Sequence, residues 1–301
     1  MHIPDGFLSP AVWATLDVLS VPAAGWMAHR AQSDTEDRRI PLMGVMGAFV
    51  FAAQMINFPI PLGTSGHLVG GALLAIVLGP AAASVVMTSI LAVQALVFQD
   101  GGIMALGANV INMAIGGILA AWVPYRLWGA RWRSAAIFTS GLLSVLVSAS
   151  LALAQLALSG MPMPRRLLLV SLGLFAASGV LEGAITLAAV RAIERLNPGW
   201  VRTPAKAGSR MAGVVAVAAV LVAAVGILVG SAAPEVLEHL AASFGVTAHV
   251  PAWLHAPLAD YEWKGLDSAW LRRASAALTG LALIYGACAL AGRLLARQRS
   301  A

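Results

Sequence analysis

The sequence predicts an all-α integral membrane protein, with a core of seven helices and two additional transmembrane helices after it. Three observations carry this. Hydrophobic residues make up 59% of the chain and charged residues only 11%, whereas a soluble domain carries about 25% charged residues. Mean hydropathy is +0.84. The apolar residues also gather into runs close to the ~20 residues that a bilayer-spanning helix needs. In lipid such a run must close its own backbone hydrogen bonds, which a helix does.

Nine runs qualify, near residues 8–29, 40–57, 66–79, 81–98, 104–123, 134–158, 167–191, 211–231 and 274–295. The third is short and meets the fourth at Gly79-Pro80, a turn signal. The first seven runs define a membrane core, residues 1–195. Residues 196–210 contain Asn197-Pro198-Gly199 and Pro204 and form a linker. Residues 211–301 form a second part, whose two runs flank an outer loop, 232–273, rich in Trp, His and acids.

Nine spans put the two ends on opposite sides. With the N-terminus outside, fourteen of the nineteen Lys and Arg fall in inner segments and five in outer ones. This is the positive-inside distribution, with Arg165-Arg166 against the trend. The net charge of +6 therefore reads as an orientation signal. No basic stripe with interleaved aromatics is present, which excludes nucleic acid as a partner. The single cysteine, Cys288, permits neither an intrachain disulfide nor a Cys-rich zinc site, and reads as a packing residue. The opening residues lack the basic n-region of a signal peptide, so the mature chain is expected to begin at Met1.

That start gives His2 its interest. A terminal amine, the next amide nitrogen and a second-position imidazole can chelate one ion through adjacent small rings, and a rigid deprotonated amide keeps them near one plane. A fourth nitrogen closes a square, a geometry that suits Ni(II) or Cu(II) and disfavours tetrahedral Zn(II). Ligation releases protons, so affinity falls toward acid pH. His67 is the candidate fourth ligand. It follows Gly63-Thr64-Ser65-Gly66 on the same, outer, side as Met1 and His2. Thr64 and Ser65 offer hydrogen bonds to a ligand, and Asn57 and Gln54, on the neighbouring span, could orient a ring. Against this stands the ordinary role of such residues: a second-position His in a loose tail, and a boundary His that merely packs.

Elsewhere the signals are weaker. His239, His249 and His255 in the outer loop read as surface residues able to capture metal loosely, and His29 as a solvated inner-boundary residue. Asp17 and Glu182 fall within spans one and seven. Ionisable groups at depth are costly, so each makes a structural hydrogen bond, carries a proton or supports a metal site. Small-residue spacings at Ala24/Ala28, Gly66/Gly70 and Gly179/Gly183 permit close helix contacts, with Ala24 and Ala28 as candidates for docking another subunit. No phosphate-binding P-loop, His-Glu-x-x-His or Gly-x-Ser-x-Gly motif occurs, so ATP hydrolysis by a P-loop and zinc-protease activity are not expected. An intramembrane metal-dependent enzyme would need a general base that no carboxylate near His67 in sequence supplies.

Three stretches together carry a resemblance: Met1-His2-Ile3-Pro4-Asp5-Gly6-Phe7-Leu8, the run from Phe49 to Ile60, and Gly63-Thr64-Ser65-Gly66-His67-Leu68. They resemble the CbiM/NikM family, the substrate-binding S components of energy-coupling-factor (ECF) transporters for cobalt and nickel. The resemblance covers about residues 1–195 and implies seven spans. It also implies an ion held in a square plane by the Met1 amine, the His2 amide and imidazole, and His67. Residues 205–301 resemble the two-span partner CbiN/NikN, fused here to the core. Ala256-Pro257-Leu258-Ala259-Asp260-Tyr261 matches that partner's outer loop, and Pro234-Glu235-Val236-Leu237-Glu238 is a degenerate form of its Pro-Asp-Gly-Leu-Glu motif.

The resemblance implies a non-catalytic subunit of a bacterial inner-membrane importer, N-terminus outside and C-terminus cytoplasmic. It takes Ni(II), or Co(II), as transported substrate and uses no catalytic cofactor. Its partners are the lipid bilayer, a transmembrane coupling (T) protein and ATP-binding cassette ATPases that hydrolyse ATP on its behalf. Fusion favours nickel. The alternative is a self-sufficient secondary transporter or channel, for which Asp17 and Glu182 would have to form an ion relay.

Overall fold

A computed structural model describes residues 1–34, 39–60, 62, 64–162, 164–201, 235–242, 245 and 256–297. The expected eighth span, 211–231, and most of the linker and outer loop lie outside them. Among the described residues, six helices are long and apolar enough to cross a membrane, and the chain is a multi-pass α-helical membrane protein.

The core contains seven helices in order: α1 (Pro10–Asp34), α2 (Ile40–Gln54), α3 (Gly71–Leu78), α4 (Pro80–Phe98), α5 (Leu106–Trp128), α6 (Arg133–Leu158) and α7 (Arg165–Leu196). After the core come the short helix α8 (Val236–Ala242) and the long helix α9 (Ala269–Arg297). Most of the long helices expose apolar residues outward, as lipid-facing helices do; α1 is the extreme, with 6% of its most apolar stretch buried.

The expected second and third spans need correction. Asn57–Ile60 and Thr64–His67 are strand, not helix; β1 (Asn57–Ile60) pairs antiparallel with β2 (Thr64–His67), in the register Asn57↔His67 and Ile60↔Thr64. Helix resumes only at Gly71 and lasts eight residues, all buried. At 1.5 Å per residue α3 is about 12 Å long, far short of the ~30 Å hydrocarbon thickness. Irregular backbone at such depth survives because protein, not lipid, surrounds it. Gly66 and Gly70 are consequently not a helix-docking pair: Gly66 lies in β2, and Gly70 adopts φ +76 at the start of α3, where a Cβ would collide with Val50. Gly79-Pro80 does form the expected turn, with Pro80 opening α4.

Small residues set the tight crossings. A Cβ on Gly141 of α6 would fall 2.6 Å from the Gly183 Cα of α7, so the two backbones are almost in contact. The C-terminal helix docks in the same way. Gly44 and Gly47 of α2 lie under Tyr285 and Cys288, while Gly280 of α9 sits over Phe51 and Phe98. Cys288 is buried in this contact. Two π-helical stretches, Gln94–Phe98 and Val110–Gly117, flank the loop that joins α4 to α5. π-turns often accompany functional sites, and this loop meets the N-terminus.

Candidate metal centre

The first five residues lie in a backbone cradle. Ile3 N–H donates to Asn109 Oδ1 at 2.8 Å, and Asn109 Nδ2 donates back to the Ile3 carbonyl at 3.1 Å. The Gly102 N–H donates to that same carbonyl at 2.9 Å. The Asp5 carboxylate accepts the N–H groups of Ile103, Met104 and Ala105, closing orphan donors ahead of α5. Only glycine fits at position 102, since a Cβ there would lie 2.2 Å from Asp5 Oδ1. The Ile3-Pro4-Asp5 segment thus holds His2 at a fixed height against the 99–105 loop.

His67 ends β2, and its surroundings orient it. Its Nδ1 lies 2.9 Å from the Leu68 carbonyl, which places the proton there and leaves Nε2 with a lone pair. A ligating His ordinarily donates its other ring N–H in this way. The next two peptide N–H groups, Val69 and Gly70, donate to the Glu182 carboxylate at 2.7 and 2.9 Å. Glu182, buried in α7, therefore anchors the chain as it leaves the hairpin.

The two segments meet. The Met1 amine lies 2.9 Å from His67 Nε2, and the His2 and His67 rings stack with centroids 5.2 Å apart and planes 8° from parallel. With metal–nitrogen bonds of ~2.0 Å, adjacent corners of a square are about 2.8 Å apart, so the amine and Nε2 already have the spacing of neighbouring ligands. Both histidines are 4% exposed. His2 Nε2 has no hydrogen-bond partner among the described residues, an uncommon state for a buried polar group.

Two acids complete the cluster. Glu235 ion-pairs with the Met1 amine through Oε2, and its Oε1 lies 3.2 Å from His67 Nε2. His2, His67 and Glu235 bring one ligand atom each within 4.8 Å of one another. On the far side, Asp100 Oδ1 lies 3.0 Å from His2 Nδ1, and Tyr261 donates its hydroxyl to Asp100 Oδ2 at 2.5 Å. Burial pushes the Asp100 carboxyl up, but the charge of His2, its hydrogen bond and that of Tyr261 together hold it at about 2. Burial also opposes ionisation of Glu235, yet the terminal ammonium beside it keeps its carboxyl well below the usual range. Burial, then the Asp100 charge, push the Tyr261 phenol well above 10. Glu235 and Asp100 are thus anions, and Tyr261 a neutral donor, at physiological pH. A cavity of about 280 Å³, lined in part by Asp100, Glu235, Glu238, Asp260 and Tyr261, opens beside them.

The other expected residues fall nearby in different roles. Gln54 braces the chain beyond His67, not its ring: Nε2 donates to the Val69 carbonyl at 2.8 Å, and Oε1 accepts from Gln94 at 2.9 Å. Asn57 lies on β1, not on a span, directly across the ladder from His67. Thr64 and Ser65 are buried in β2, and Gly63 lies outside the described residues. His239 is exposed on α8, His29 is exposed near the end of α1, and His249 and His255 lie outside the described residues. Asp17 accepts the Gly107 N–H at 2.7 Å, a structural hydrogen bond.

Sequence reasoning found no carboxylate near His67 because the nearest, Glu235, is 168 positions away. The one signal was the match of residues 234–238 to a degenerate partner motif. Asp100 carried no signal beyond its place in a Gln-Asp-Gly-Gly loop.

The family model for the cobalt uptake substrate-specific transmembrane region, CbiM, matches residues 2–200. A putative fused nickel transport protein NikMN of Archaeoglobus fulgidus is 38% identical over 272 residues, covering 89% of this chain and 90% of that protein. A cobalt transport protein CbiM of Acetoanaerobium sticklandii is 35% identical over 162 residues, covering 53% and 67%. Among solved structures, a truncated transition metal transporter aligns with a TM-score of 0.57 at 31% identity, covering 65% of this chain and 99% of that one.

Proposed function

We propose that this chain captures a nickel or cobalt ion for uptake, and the premise is its family: it belongs to the CbiM family, the cobalt uptake substrate-specific transmembrane region. It is a membrane component of nickel and cobalt transport. The Met1 amine, the His2 amide and imidazole, and His67 Nε2 are the proposed ligands, set in one plane. The observation that carries this reading is the 2.9 Å approach of the Met1 amine to His67 Nε2. It joins the chain start to a hairpin 66 residues on, at the spacing of adjacent corners of a square. Asn57, Thr64 and Ser65 belong to the hairpin that presents His67, and Gln54 braces the chain just beyond it.

Nickel is the favoured ion, since square-planar nitrogen ligation suits Ni(II) and the A. fulgidus relative with both parts fused carries nickel in its name. No P-loop is present in the sequence, so the energy comes from partners: a T protein and a pair of ATP-binding cassette ATPases of an ECF-type importer. The site faces the outside of the cytoplasmic membrane, with the N-terminus outside and the C-terminus inside. The secondary-transporter alternative finds no support in Asp17 or Glu182, whose carboxylates are both engaged with backbone N–H groups.

The test is metal analysis of the purified full chain and of His67→Ala after loading with nickel and desalting. One ion per parent chain and none in the variant are expected. Stoichiometric nickel in the variant would remove His67 from the site.

A further inference from the structure

The Glu235 carboxylate is not one of the four proposed nitrogens, yet it lies against two of them. The side chain reaches the site from a backbone that is itself seated. Glu235 forms a parallel bridge with Ser65, two residues before His67 on β2, and alternate residues of a strand share a face. The Glu238 carboxylate accepts the Glu235 N–H at 3.2 Å, half of a capping box at the start of α8. Val236 and Leu237 are buried behind it, 5% and 1% exposed. The segment is therefore seated, with its acid turned to the amine and to His67.

Two features of this contact call for a cation. With the His67 proton on the Leu68 side, Nε2 presents a lone pair to a Glu235 oxygen 3.2 Å away. In the empty site the Met1 ammonium bridges these two acceptors, contacting both. Once that nitrogen gives up its proton to bind a metal, acceptors at this distance repel unless the ion is shared between them. The His2 imidazole, 4% exposed and with no partner for its Nε2 among the described residues, belongs to the same cluster. Charge leads to the same conclusion. A dication held by a neutral amine, one deprotonated amide and two neutral imidazoles leaves a net charge of +1 in a buried pocket, where an uncompensated charge is costly. Asp100 touches one proposed ligand residue, at His2 Nδ1, whereas Glu235 touches two ligand atoms, the amine and His67 Nε2.

We propose that Glu235 is a fifth ligand to the transported ion, an oxygen donor that the C-terminal part places outside the plane of the four nitrogens. This deepens, and rests on, the metal-capture reading. It makes seating of the C-terminal segment depend on the cargo: the same carboxylate closes the empty site as counter-ion to the ammonium and the filled site as a bond to the metal. On filling, each nitrogen ligand sheds to solvent any proton it carries at the ligating position, the ammonium and the amide one apiece, and the carboxylate exchanges its contact with the ammonium for one with the ion.

The experiment uses the full, untagged chain loaded with Ni(II), compared with Glu235→Gln, Glu235→Asp and His67→Ala. X-ray absorption at the nickel edge reads coordination number, and transfer to a strong chelator reads release. The parent is expected to show one ligand more than Glu235→Gln, whose spectrum gains the signature of planar four-coordination. Release from Glu235→Gln should be about 10–100-fold faster, with Glu235→Asp in between. Equal coordination and release in the parent and Glu235→Gln would overturn the proposal while leaving the four-nitrogen site standing, provided His67→Ala is empty. Nickel retained by His67→Ala would instead overturn the reading beneath it. Should Glu235→Gln fail to fold, Glu235→Asp decides: unchanged coordination and release in that shortened acid count against the proposal.

Discussion

The two ends of the chain approach the same site by different means. The N-terminal segment is held by a dense network: the Ile3 backbone exchanges two hydrogen bonds with Asn109 and accepts one from Gly102, and the Asp5 carboxylate accepts three peptide N–H groups at the end of the 99–105 loop. The C-terminal part reaches the site through side chains, Glu235 at the amine and His67 and Tyr261 at Asp100. Its backbone adds the bridge to Ser65 and one hydrogen bond from Leu258 to Val97. A ligand set that must keep its geometry belongs on the first kind of support. A closure that must yield when the ion enters or leaves belongs on the second. The contrast separates the groups that define the site from those that cover it.

Variants should rank accordingly. The largest effect is expected on the N-terminal side. Asp5→Ala removes a carboxylate that accepts three peptide N–H groups, and hydrogen bonds to charged groups contribute about 1.5–3 kcal/mol each. Nickel affinity, measured by competition with a chelator of known strength, should fall at least ~100-fold as the cradle loosens. An unchanged affinity would show that the cradle does not set the ligand geometry. The smaller effect is expected on the C-terminal side. Tyr261→Phe keeps the ring packing on Phe98, where the centroids are 4.8 Å apart, and removes only the hydroxyl that donates to Asp100. Release of nickel should accelerate by no more than about tenfold, the equivalent of ~1.4 kcal/mol, with binding stoichiometry unchanged. A loss as large as that of Asp5→Ala would erase the distinction between cradle and cover.

The sequence revealed one of these regions far better than the other. Hydropathy runs located the long helices because lipid imposes one rule along their whole length. The opening motif drew attention to His2, and its Asp5 and Gly6 are now seen beside the residues that turn the chain into its cradle. Periodicity could not reveal the hairpin at 57–67, because an apolar run of that length reads equally as helix or strand until its burial is known. Gln54 and Asn57 were named as supports for a ring and proved to brace the hairpin, since their reach depended on that unseen turn. Glu182 was legible as a buried acid but not as the anchor of Val69 and Gly70, which depends on the packing of α7 against α3. Glu235 was the least legible. Contacts between residues 1, 67 and 235 depend on how three separate segments pack, and no local pattern encodes that.

The central claim is that the first amine and a distant imidazole share one ion. The most direct measurement adds a single glycine ahead of Met1 in the untagged full chain and compares nickel stoichiometry with the parent. The account predicts one ion per chain in the parent and almost none in the extended form, because the amine then stands one residue too far from His67. Equal stoichiometry and affinity in the two would mean that the amine is not a ligand, and the planar four-nitrogen site would have to be abandoned.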